Sequence, residues 1–120
     1  MMSEHDRILF DEYASLIRSW HGAHGQLSQY SITSHSGIRV ELKRPESSQA
    51  LLILCYLPTY IAGPVRWPNA HLDLWEVPTA SWNHPAVPEQ VLFDPIAGVT
   101  IRCHKVNAVL IPIEESTRGT

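Results

Sequence analysis

Hydrophobic residues recur every three or four positions at the start of this chain and every second position afterwards. Over residues 4–21, Leu9, Tyr13, Leu16, Ile17 and Trp20 fall within one stripe roughly 100° wide at 100° per residue, and Asp11, Ser15, Arg18 and Ser19 take the opposite side. That pattern predicts an amphipathic helix. Ser3 is placed to cap it, with Asp6 three residues later completing a capping-box-like pair. Glu4 and Asp6 put negative charge where the helix dipole favours it, and Arg18 puts positive charge near the other end. Gly22 falls where the helix should stop, because glycine enters the left-handed conformation without steric cost.

Beyond residue 26 the period becomes two. In "GIRVELKR", Ile38, Val40 and Leu42 alternate with Arg39, Glu41 and Lys43, which marks a strand with one dry face. "ALLILCYL", residues 50–57, is apolar throughout, as expected of a central strand covered on both sides. "AHLDLWEV" sets Leu72 and Leu74 against His71, Asp73 and Trp75, and "GVTIRCHKV" sets Val99, Ile101 and Cys103 against Thr100, Arg102 and His104. "NAVLIPIE" predicts a last strand, with Pro112 at an edge or bulge. "RPESSQ" and "DPIAG" are turn segments, and residues 77–90 form a long loop holding three of the nine prolines. Strands joined by short turns, with a single helix, argue for antiparallel pairing. The expected architecture is therefore α+β, one domain over 1–120. An N-terminal amphipathic helix packs on a curved, mainly antiparallel sheet of five to seven strands.

Composition narrows the functional choices more than it selects one. A length of 120 residues suits a single core, and 44% hydrophobic with 18% charged residues reads as globular. A formal net charge of −3 supplies no global field for nucleic acid, so that partner is not expected. The longest apolar run is too short to span a bilayer as a helix, and "MMSEHDRILF" lacks the basic and apolar regions of a signal peptide. A soluble cytoplasmic protein with no membrane association is the expectation. Cys55 and Cys103 are two cysteines without metal-site spacing, so buried thiols are expected, paired only if their strands are neighbours.

Candidate chemistry concentrates in "TYIAGPVRWPNAHLDLW". Tryptophan and arginine are the types most often found at binding hot spots, since a large apolar body keeps a polar handle. Tyr60, Arg66, Trp67, Asn69 and Trp82 in the following loop make a candidate recognition surface, with Trp75 between them. On a strand, His71 and Asp73 project to one side about 7 Å apart. They are acid–base candidates together with His104. His21 and His24 in "SWHGAHG" belong to the helix stop and its connector, because no further ligand follows at a familiar spacing. No metal and no cofactor is expected. No serine elbow, phosphate-cradling glycine loop or His-Glu-x-x-His helix occurs.

One short segment resembles a known signature. "IRCHKVNAV", residues 101–109, is similar to the second signature of Sm-like RNA-binding proteins, through Ile101, Arg102, Val106 and Val109, with Cys103 in place of the glycine. That resemblance implies a small RNA-binding barrel. The residues themselves favour a small non-catalytic binding or accessory protein that recognises another protein or its own copy as a homodimer. The rival expectation is a small enzyme or metal-binding protein using His71 and Asp73.

Overall fold

The computed structural model describes residues 3–32, 35–77 and 89–113. Helix α1 runs Glu4–Arg18. The strands are β1 His24–Ile32, β2 His35–Lys43, β3 Gln49–Tyr56, β4 Tyr60–Ala62, β5 Arg66–Trp67, β6 Asp73–Val77, β7 Glu89–Asp94, β8 Val99–Cys103 and β9 Lys105–Pro112. The α+β class with antiparallel pairing is as expected. The strands among the described residues number nine, however, and divide into two sheets. The first has the order β5-β1-β2-β3-β9 and the second β4-β8-β7-β6.

Register explains how two sheets share one core. In the first sheet Leu27, Val40, Ile53 and Ala108 stand opposite one another across four strands. In the second, Leu74, Leu92 and Ile101 do the same. Both rows join a single buried cluster. Antiparallel partners project to the same side, so each row commits its whole sheet face to that core. The chain crosses between sheets after β3, β4, β5 and β8.

Helix α1 begins as its sequence predicts: Ser3 Oγ accepts a hydrogen bond from the Asp6 amide at 3.1 Å. It stops earlier than residue 21. Ser19 is the C-cap, the Trp20 and His21 amides donate to the carbonyls of Ile17 and Arg18, and Gly22 takes φ +95°. The tightened last turn then hands over to β1, a strand absent from the expected set. "HGQLSQYSI" lacks apolar alternation, but β1 is held by β2 on one side and β5 on the other. Gly25 is required there, since a Cβ would stand 2.7 Å from the Trp67 ring.

The helix bridges the open side of the two sheets, packing against β6 and β9. Its buried residues are Phe10, Ala14 and Ile17, with Trp20 just beyond its end. Tyr13 and Leu16 are only partly covered. The buried face is thus rotated by roughly 60° from the expected stripe. The small Ala14 faces the core and lets the helix approach closely, which a hydrophobicity pattern ranks poorly. β3 also differs in one respect: it is central, yet Leu52, Leu54 and Tyr56 on its outward side are only half-buried. No described helix is long and apolar enough to cross a membrane.

Candidate binding face

The sequence-predicted surface does not assemble as one patch. Trp67 lies in the core at 3% exposure, where its Nε1–H donates to Asp94 Oδ2 at 3.1 Å. It cannot touch a partner, because β5 turns its ring onto Gly25. Arg66 and Asn69 are exposed, Asn69 in the left-handed conformation at φ 54°, and both belong to the β5 side of the molecule. Tyr60 sits on β4, at 53% exposure. Trp82 lies outside the described residues.

Asp94 organises this region. Its Oδ2 also accepts from the His71 amide at 2.7 Å, and its Oδ1 accepts from the Ile96 and Ala97 amides at 3.0 Å each. The last two bonds close the "DPIAG" turn, since a short carboxylate caps the amides two and three residues on. Burial pushes the Asp94 carboxyl up, but the three amides and the Trp67 indole together outweigh it and hold it below the usual carboxylate range. One carboxylate thus ties β5 of the first sheet to the β7–β8 turn of the second.

Three acid–base candidates can now be placed. His71 precedes β6, and its Nδ1–H donates to the Asn69 carbonyl at 2.9 Å. The side chain beside Asp73 is His21, whose Nε2 lies 3.7 Å from Asp73 Oδ1 and donates to the Leu72 carbonyl at 2.9 Å. The two imidazoles stand 5.1 Å apart, centroid to centroid. Each ring therefore spends one nitrogen on a backbone carbonyl: His71 braces its own turn, and His21 latches the 69–72 segment to the turn after α1. His104 is remote from both: Asp73 pairs with Phe93, Cys103 with Gln90, and His104 lies beyond that opposite end of β7. Among the described residues no three His, Cys, Asp or Glu side chains converge to hold a metal ion.

The cysteines meet across the two sheets. Both are fully buried, and the Cys55 thiol is pushed well up by its hydrogen bond with Cys103 and by burial. A protonated, enclosed thiol is a poor nucleophile.

The outward face of the second sheet shows a different chemistry. Register places Trp75, Val91, Arg102 and Tyr60 in one row across β6, β7, β8 and β4. A second row holds Asp73, Phe93, Thr100 and Ala62. Trp75 is 55% exposed, and its ring leans on Phe93 at 6.1 Å with an interplanar angle of 52°. Arg102 Nη2 donates to Glu89 Oε1 at 2.6 Å, and Thr59 Oγ1 donates to Glu89 Oε2 at 2.7 Å. Those bonds, led by the Thr59 hydroxyl, hold the Glu89 carboxyl below its ordinary range. Among the described residues, Arg102 Nε is buried without a hydrogen-bond partner. Leu57, Ile61, Val65 and Ile96 are exposed as well, but Ile61 pairs with Ile101 on the inward row and Val65 accepts from the Leu27 amide of the first sheet.

Val91, Phe93 and Glu89 carry this face and were not singled out from sequence, whereas Arg102 entered there as a candidate only through the Sm-like likeness. A signal existed in "QVLFD", where Val91 and Phe93 occupy the positions that alternation would make polar. The nine-residue likeness to the Sm-like signature falls on β8, the corner at His104 and β9, where Ile101, Cys103 and Val106 fill the core. Comparison with protein-family models, curated proteins and solved structures returns no match.

Proposed function

We propose that this chain is a non-catalytic binding module that recognises another protein through the outward face of its second sheet. The observation that carries the reading is the row Trp75–Val91–Arg102–Tyr60, exposed at Trp75 and Tyr60 among the described residues, with half-buried Phe93 beside it. Sheet faces that stay exposed are ordinarily polar, and apolar patches rimmed by charge mark contact sites. Aromatic and arginine side chains are also the types that dominate binding energy once water is excluded. The proposal keeps Tyr60 from the sequence-predicted surface and replaces Trp67 with Trp75.

Capture from native extract with the wild-type chain as bait should enrich one partner that the Tyr60→Ala/Trp75→Ala double variant loses by about tenfold. The purified partner should then rebind the wild type alone. Both side chains are more than half exposed, so the variant should melt with the wild type. Equal recovery by bait and variant would sink the reading.

A second reading, self-association, is favoured by β9. It forms the outer strand of the first sheet, with Val109 49% and Leu110 39% exposed. An apolar outer strand invites pairing with a copy of itself, and a two-fold dimer is the commonest closed solution. Light scattering at micromolar concentration should report twice the chain mass of 13.5 kDa, reverting to the monomer with Val109→Lys. A wild-type monomer would remove this reading and leave the first untouched.

A further inference from the structure

We infer, resting on the reading above, that the ligand of the second-sheet face is a short proline-rich segment of the partner in the polyproline II conformation, lying across the strands. Size is the first argument. Four strands about 4.8 Å apart and three to six residues long give a flat area on the order of 300 Å². A stable interface between globular partners needs about 800 Å² on each side. A patch this small holds only a ligand that loses little freedom on binding, and polyproline II is ordered before it binds.

Spacing is the second argument. Three residues of polyproline II rise about 9.3 Å. Two strand spacings are about 9.6 Å. Trp75 and Arg102 are two strands apart in their row, with the smaller Val91 between them. A proline helix crossing the sheet would set equivalent residues against successive ridges. The 52° tilt between the Trp75 and Phe93 rings makes a notch rather than a flat plate, suited to the edge of a pyrrolidine ring.

Polar chemistry points the same way. Arg102 is neutralised by Glu89, and the chain carries a net charge of −3, so the face offers no excess charge to a polyanion. Polyproline II leaves its carbonyls unpaired. The exposed Trp75 carries an indole N–H, a donor of the kind such a carbonyl needs.

The test is titration of the full chain, followed by calorimetry and amide NMR, with a synthetic decaproline peptide. The other arms are a glycine–serine peptide of equal length, a neutral cello-oligosaccharide and a single-stranded oligonucleotide. Saturable binding of decaproline alone is expected, with shifts centred on Trp75, Phe93 and Arg102. Trp75→Ala should weaken it at least tenfold, Trp75→Phe should recover most of the affinity, and Ile8→Ala on the helix should stay within twofold. Three results overturn the inference: no saturation by decaproline, equal binding of the glycine–serine peptide, or affinity unchanged in Trp75→Ala. Saturation by the oligosaccharide or the oligonucleotide in its place also overturns it. A partner captured through Trp75 and Tyr60 without decaproline binding would defeat this inference and leave the proposed function standing.

Discussion

Asp94→Ala should lower the unfolding free energy by about 3 to 5 kcal/mol, among the larger losses a single substitution gives. The carboxylate is fully buried and accepts four N–H donors, from Trp67, His71, Ile96 and Ala97. Truncation strands those donors together, and each unsatisfied buried group costs about 1 to 3 kcal/mol before relaxation. Asp94→Asn should also destabilise, because an amide nitrogen cannot accept where the carboxylate oxygen does. The carboxyl lies below its unfolded value. Its stabilisation is therefore present above the ordinary aspartate pKa of about 3.9 and lost as pH falls through the lower folded value. Denaturant melts from pH 6 down to pH 2 should show wild-type stability falling at the acid end. Part of that slope should vanish in Asp94→Asn, with the remainder shared by Glu89, which is shifted in the same direction. An Asp94→Ala loss under about 1 kcal/mol at neutral pH would show that water replaces the carboxylate.

Trp20→Ala should cost about 3 to 5 kcal/mol, as large aromatic truncations in cores do. Trp20 is 7% exposed in the turn after α1, and the Arg44 guanidinium covers its ring at 4.7 Å. That guanidinium also donates to the carbonyls of Ser19 and His21, at 2.7 and 3.2 Å. Removing the ring would therefore open a cavity and loosen the arginine that closes the helix end. Leu16→Ala, on a partly covered position, should cost less than half as much. Equal losses for the two would place the helix back on the stripe that hydrophobicity alone selects.

The difference between Leu16 and Ala14 shows where local information stops. Periodicity counts apolar surface along one element, whereas the buried side is chosen by what stands opposite. Two sheet edges meet α1, so the small Ala14 turns inward and Leu16 moves to the rim. The binding face follows the same logic. "TYIAGPVRWPNAHLDLW" is conspicuous in sequence, yet its two tryptophans part company, Trp67 into the core and Trp75 to the surface.

Local order in the chain was enough to determine the helix and its Ser3 cap, the antiparallel class, the buried alternation of β2, β6 and β8, and the "DPIAG" turn. Each depends on residues within a few positions of one another, where dihedral preference and side-chain period act directly. Tertiary structure alone decided that the strands form two sheets, that β1 exists, and that Asp94 reaches Trp67 across 27 residues. It also set His21 rather than His71 beside Asp73, and gathered Trp75, Arg102 and Tyr60 into one row from three separate strands. Such contacts depend on which strands pair and in what register, and that is selected by burial summed over the whole core. No window along the sequence carries that sum.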